Sequence, residues 1–326
     1  MRTKKGMISA QFNWVFILVA GVLILLFFGS LVLKAKDSSD IAIAETVLTN
    51  MQTIMTGAEV SVRTINPIEI PNEEIKVSCN SLSVGKISKP ITKNKIVFAP
   101  ETIDGTTLLA WAFNWNAPYH VTNFLYLTTP NIKYVFINSP GTEAEKIFNL
   151  LPDKINKKKV DFSNVPNTGN YIKLIFFNKP GIPSLPSNLN NFPDNKVSAI
   201  NVKTGSNEIE FFRKTGATFT LDGSMGYIGD PMILGAVFSG TFEDYECNVK
   251  KARNKLNIVS MVYMEKTSSL IGLIGNCNSY YDTNPLSYII AHSNDNDIDI
   301  IEIRKKIDEI KGYNKHLQSE SCPTIY

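Results

Sequence analysis

From Phe12 to Leu33 the chain reads FNWVFILVAGVLILLFFGSLVL, without a single charge. A helix rises about 1.5 Å per residue, so this run extends about 33 Å, enough to cross a ~30 Å hydrocarbon core. It predicts a transmembrane helix over 12–33. The run is longer than the apolar core of a cleaved secretory signal, and the Lys34-Ala35-Lys36-Asp37 that follows is a poor cleavage context. Beyond it the apolar positions thin to Ile41, Ala44, Leu48, Met51, Met55 and Ala58, alternating in steps of three and four along one helix face. That spacing predicts an amphipathic neck helix over 34–66, capped by Asp37 to Asp40 and ended by Gly57 or at the latest by Asn66-Pro67. The seam is too short for a free coiled coil, so the neck is expected to pack against a globular head.

After Pro67 the pattern changes to that of strands. Ile75–Cys79 and Ser81–Val84 alternate, Lys95–Ala99 is an apolar run closed by Pro100, and Val121–Leu127 is another. Thr106–Phe113 reads as a short helix. An internal echo follows: Ile132-Lys133-Tyr134-Val135-Phe136-Ile137-Asn138-Ser139-Pro140-Gly141 and Ile172-Lys173-Leu174-Ile175-Phe176-Phe177-Asn178-Lys179-Pro180-Gly181 share the form I-K-x-x-F-x-N-x-P-G. Each is a strand-length apolar run stopped by a turn. Thr142 and Glu145 form a capping box before a helix faced by Ile147, Leu150 and Leu151. Pro183 and Pro186 interrupt any helix after the second copy. Continuous apolar strands imply burial on both faces, as in a parallel or mixed sheet.

Val197–Val202, Glu208–Phe212 and Ala217–Leu221 then read as an antiparallel meander. A long helix carries Phe242, Tyr245, Val249, Ala252, Leu256, Val259 and Tyr263 on one face, with Thr241 as cap, Gly272 as stop, and Lys250, Arg253 and Lys255 opposite. A last helix is expected over Asp297–Lys311, with Asn296 as cap. The fold class that emerges is an α/β head with a mixed sheet on a single membrane helix. It divides into a basic N-terminus (1–11), a transmembrane helix (12–33), a neck (34–66) and a globular ectodomain (67–326).

Arg2, Lys4 and Lys5 precede the apolar run without an acid, so the positive-inside rule places the N-terminus in the cytoplasm and the head outside it. With 44% hydrophobic and 19% charged residues over its full length, the chain has the composition of a folded protein. A net charge of +3 gives no reason to expect a nucleic-acid partner. The expected partners are the lipid bilayer and other surface or filament proteins.

The segment Lys4-Lys5-Gly6-Met7-Ile8-Ser9-Ala10-Gln11-Phe12 resembles the signal of archaeal type IV pilin-like and archaellum-like proteins. In that family a basic stretch ends in Gly, cleavage follows it, and a polar segment precedes the apolar helix. Ser9 and Phe12 match. Met7 stands where the family carries Gln, and Gln11 where it carries Glu. The resemblance covers about a tenth of the chain, and implies cleavage between Gly6 and Met7 and export on an N-terminal helix. In the family that Glu is thought to pair with a neighbour's N-terminal amine. Gln11 lacks the charge, so export and anchoring are implied more strongly than polymerisation.

Four cysteines, at 79, 247, 277 and 322, all follow the apolar run, and an exported domain predicts two disulfides. An unbroken long helix carries Cys247 about 36 Å from its end, and six residues returning to Cys277 recover only about 20 Å, against a Cα separation of about 7 Å at most for a bridge. Cys247–Cys277 is thereby excluded, and of the remaining pairings Cys79–Cys247 with Cys277–Cys322 is preferred. No two cysteines are close in sequence and His120, His292 and His316 are scattered, so no metal or cofactor is expected.

G-x-G-x-x-G, G-x-x-x-x-G-K-[ST], H-E-x-x-H and G-x-S-x-G are all absent, as is N-x-[ST]. The run His292 to Asp299 is rich in oxygen ligands but lacks the central Gly and final Glu of a calcium loop, and suits a helix cap better. Glu101, Asp104 and Asp222 read as turn residues, and Lys154, Lys157, Lys158 and Lys159 as a solvated basic loop. No enzymatic chemistry is thus indicated. The leading reading is a membrane-anchored surface-display, filament-associated or interaction protein. The alternative is an anchored ectodomain that binds or processes a small ligand where an open sheet would offer a crevice, at the strand ends near Asn138, Pro140, Gly141, Asn178, Pro180 and Gly181.

Overall fold

The computed structural model describes residues 5–70, 73–138, 141–273, 275–293 and 300–326. One helix, α1 (Lys5–Val60), runs without a break through the apolar stretch and the neck. Gly57 does not stop it, since this glycine sits on an open face with nothing near. The helix ends at Val60, and Asn66-Pro67, expected to close the neck, lies within a strand instead.

The strands follow as β1 (Ile65–Glu69), β2 (Ile75–Val77), β3 (Ser81–Val84), β4 (Ile87–Pro90), β5 (Val97–Phe98), β6 (Thr102–Ile103), β7 (Thr107–Asn116), β8 (His120–Thr128) and β9 (Ile132–Ile137). After α2 (Thr142–Leu150) come β10 (Lys157–Val160), β11 (Tyr171–Phe177), β12 (Val197–Lys203), β13 (Glu208–Thr215) and β14 (Thr218–Gly226). Among the described residues the helices α3 (Asp230–Phe238), α4 (Phe242–Leu273), α5 (Asn284–His292) and α6 (Ile300–Ser319) follow.

Among the described residues these strands form three sheets. The first has the order β1-β7-β8-β5, the second is the antiparallel set β4-β3-β2-β6, and the third is six-stranded, β10-β9-β11-β12-β13-β14. In the third, β10, β9, β11 and β12 are parallel, and β12, β13 and β14 form the expected antiparallel meander. The body is therefore a mixed α/β fold rich in sheet, entered by a long apolar helix.

The neck is part of the core. Ala44, Leu48, Met51, Met55 and Ala58 of α1 are buried between the first and second sheets, against Ile75, Leu82, Ala110, Ala112, Leu125 and Leu127. Ile41, the first residue of the seam, remains 47% exposed. Ala110 and Ala112 are small enough to let the helix lie close on β7. The opposite face of the first sheet, with Phe98, Trp111, Phe124 and Tyr126, packs against α3 and α4 in the main core.

This two-sided burial explains why Thr106–Phe113 reads as a helix in the sequence. A strand covered on both faces shows no polar alternation, and its Leu and Ala content favours helix locally. The third sheet turns Tyr134, Phe136, Ile200 and Phe211 toward the helices and Val135, Leu174, Phe176 and Ala199 toward the 161–196 connection.

Other local expectations are corrected. The cap of α2 is Gly141, with no side-chain cap bond, so the Thr142 capping box does not form. Instead Glu145 pairs with Lys159. Lys157–Val160 is an edge strand, and Lys157 donates to the Phe148 and Leu151 carbonyls. Arg253 is buried, its Nε donating to the Ser293 carbonyl at 2.9 Å, so it does not lie on a solvated face of α4. Asn296 and most of the acidic run before α6 lie outside the described residues.

Candidate functional site

Three places carry the functional expectations: the free half of α1, the joint that holds its other half, and the strand-end loops of the third sheet. In α1 every large apolar side chain from Trp14 to Leu33 is exposed, among them Trp14 at 77% and Leu25 at 73%. This is a helix long and apolar enough to cross a membrane, and none of its most apolar window is covered by the head. Gly6 and Met7 lie near the start of α1.

Eleven positions on from Leu33, the same helix becomes buried at Ala44. Polar contacts fix it there. Gln52 Nε2 donates to the Pro90 carbonyl at 3.0 Å, Lys89 Nζ to Thr49 Oγ1 at 2.6 Å, and Asn123 Nδ2 to the Glu59 carbonyl at 3.0 Å.

The α1-bearing sheets are joined to the rest at the start of α4. Asp244, Cys247 and Lys251 recur at helical spacing on one face. Asp244 Oδ1 accepts the Cys79 N–H at 2.8 Å, Lys251 Nζ donates to the Cys79 carbonyl, and Cys79–Cys247 is a disulfide with a Cα separation of 6.1 Å. Asn248 Oδ1 accepts the Val97 N–H at 3.1 Å. Thr241 caps α4 as the sequence implies, accepting from the Asp244 N–H and donating back to its carboxylate. Gly240 leaves no room for a side chain, because a Cβ there would lie 2.6 Å from the Glu101 nitrogen. The second disulfide, Cys277–Cys322, ties the C-terminus to the turn after α4. Both bridges are the pairing preferred from the sequence, and Cys247–Cys277, which helix geometry rules out, is absent.

Beneath this joint lies a group of charges. Lys173, on β11, is 2% exposed. Its Nζ donates to the Ser239 carbonyl at 2.8 Å and stands 5.3 Å from the centre of the Phe211 ring. Burial drives the Lys173 ammonium down to about 7, against the opposing pull of Asp222 and Glu101. Asp222 lies in β14 rather than a turn. It is held by Arg213, with Nε at 2.7 Å from Oδ1, and by the Phe242 N–H at 3.1 Å from Oδ2. Partial desolvation, then Asp244, raises the Glu101 carboxyl. A cavity of about 50 Å3 touches Glu101, Asp104 and Tyr171. It is too small for an organic substrate, which needs about 300 Å3 or more.

The strand-end loops answer the internal echo with an internal symmetry. Asn138 and Asn178 both adopt left-handed backbone, with φ of 35° and 52°. The Asn138 N–H donates to the Val160 carbonyl, and its Oδ1 accepts the Phe162 N–H at 2.8 Å. The Asn178 N–H donates to the Val202 carbonyl, and its Oδ1 accepts the Thr204 N–H at 2.8 Å. Each asparagine staples the end of its strand to the next strand over. These side chains are thus occupied by the fold.

Between them is a cleft of about 140 Å3 lined by Phe162, Phe176, Phe177 and Ser184, with Asn138 and Lys179 at its edge. Among the described residues, no acid or histidine lines it. Pro180 and Gly181 are exposed beside it, and Gly141 begins α2. Pro140 lies outside the described residues. Among the described residues no group of three His, Cys, Asp or Glu side chains is placed to hold a metal.

Sequence reading missed Lys173 as anything but a strand residue, because a single lysine in an apolar run carries no signal of its depth. No family model, curated protein or solved structure matches this chain.

Proposed function

We propose that this protein is a single-pass, membrane-anchored surface protein that displays its α/β head outside the cytoplasm, as a display, filament-associated or interaction module. One observation carries the reading: α1 is one continuous helix whose apolar half is bare and whose second half is built into the core. Each large apolar side chain left in water forgoes about 1.5–3 kcal/mol, so a bare stretch of this length costs on the order of tens of kcal/mol. That exceeds the ~5–15 kcal/mol stability of a typical domain, so the stretch requires cover, and a bilayer supplies it.

The two disulfides support an oxidising location for the head. The basic residues before the apolar run support a cytoplasmic N-terminus. The pilin-like motif supports processing between Gly6 and Met7. For ligand binding at the strand ends, the ~140 Å3 cleft offers less room than the ~300–1,000 Å3 usual for small-molecule sites.

The test is labelling of intact cells with a membrane-impermeant amine reagent, followed by fractionation. The chain is expected in the membrane fraction, with head lysines labelled before lysis and an intact mass lacking residues 1–6. Recovery in the soluble fraction, or labelling only after lysis, would overturn the proposal. Retention of residues 1–6 would remove the processing step alone.

A further inference from the structure

Where α1 enters the head, a groove of about 500 Å3 opens between the helix and the β3–β4 hairpin. Lys36 and Asp40 of α1, Glu73 before β2 and Lys86 at the hairpin tip line it. Ile41, Val84 and Ile87 form apolar wall. Among the described residues no ion pair engages any of those four charges, although salt bridges occur nearby at Lys76–Glu74 and Lys89–Glu45. The groove therefore presents two cations and two anions without internal partners, over an apolar surface.

Its height is set by the helix. Lys36 lies about 4–5 Å beyond Leu33 along the axis and Ala44 about 16 Å beyond. The polar layer of one leaflet is about 5–8 Å thick, so the lower rim stands among headgroups and the upper part just above them. We infer that this groove seats the headgroup of a zwitterionic phospholipid from the bilayer that α1 enters. Lys36 and Lys86 take the phosphate at the lower rim, and Asp40 and Glu73 take the ammonium group above it, beside Ile41 and Ile87. Charge complementarity selects this occupant: a phosphate alone would leave both carboxylates unmatched, and an apolar peptide would leave all four charges unmatched. The seat would hold the head down on the membrane surface. This inference rests on the reading of α1 as a membrane anchor.

The test uses the full chain, reconstituted in phosphatidylcholine or phosphatidylglycerol vesicles, with Ile43 replaced by the photo-crosslinker p-benzoylphenylalanine. Ile43 lines the groove, is 45% exposed, and lies about 15 Å past Leu33, beyond simple headgroup contact. The expected result is a lipid-mass adduct in phosphatidylcholine, several-fold weaker in phosphatidylglycerol, which lacks the cationic ammonium. The K36E/K86E variant should lower the adduct roughly tenfold while still floating with the vesicles. Protease resistance of the head, compared between variants, shows that both fold.

Flotation without an adduct, equal adducts in both lipids, or an adduct unchanged by K36E/K86E would each overturn the groove and leave the anchor intact. Failure to float would overturn the anchor itself.

Discussion

Lys173→Met should make the head more stable in mild acid and less stable in alkali, and the crossing is the informative part. In the native state the ammonium loses its proton at about 7, whereas in the unfolded chain it does so near 10.4. Between those values the unfolded chain binds a proton the native state does not, so the lysine's contribution to stability rises with pH across that window. Below about pH 7 both states are protonated and the whole burial penalty is present. A separation of this size is worth on the order of 4–5 kcal/mol.

Methionine removes that penalty but leaves the Ser239 carbonyl without its donor, at about 1–3 kcal/mol. The expected balance is a gain of roughly 1–3 kcal/mol at pH 6 and a similar loss near pH 10.5. Guanidinium unfolding of the full chain in detergent, followed through the buried Trp111 and Trp115, measures it. All four cysteines are paired, so alkali does not begin thiol exchange. Parallel curves for the two proteins from pH 6 to 10.5 would refute the assignment of a displaced proton to Lys173.

Three further outcomes are expected. Leu48→Ala, which empties a fully buried position of α1, should cost about 2–5 kcal/mol in head unfolding, while Leu25→Ala on the bare half should leave the head unchanged; equal effects would mean that the two halves are not differently placed. Cys79→Ser with Cys247→Ser opens a loop of 168 residues and should cost up to about 5 kcal/mol, read as a fall in melting temperature beside the intact chain. Asn178→Ala should lose about 2–3 kcal/mol, because alanine both resists the φ of 52° and drops the Thr204 contact, whereas Asn178→Gly should lose only about 1 kcal/mol; the reverse order would show that backbone conformation is not what this asparagine serves.

Much of this architecture is legible in the chain, for particular reasons. The apolar run and the seam from Ala44 to Ala58 are visible because a helix facing one environment at a time keeps its period. One of the three cysteine pairings can be struck from the sequence, because a long helix sets a distance that six residues cannot recover; the choice between the other two is a preference that the structure matches. β7 is misread because it is buried on both faces, and the all-buried α3 shows no amphipathic period at all. The echo at 132–141 and 172–181 is visible, but its meaning is not. That the Asn138 and Asn178 side chains bond to the backbone beyond the neighbouring strand depends on register, which the sequence does not display. The groove at Lys36 and Lys86 is invisible in sequence, since its walls come from α1 and from a hairpin some forty residues later.

The bridge between Cys79 and Cys247 also decides how the protein responds to being pulled. Tension entering at the C-terminus and leaving through the apolar half of α1 would pass from one sulfur to the other and skip the residues between. Those residues, about 590 Å of chain if drawn out, cannot contribute to extension. The six-stranded sheet lies wholly inside that loop and would stay shielded; the second bridge would spare the chain between Cys277 and Cys322 in the same way, and the load would fall on α4 beyond Cys247 and on the stretch from α1 to Cys79.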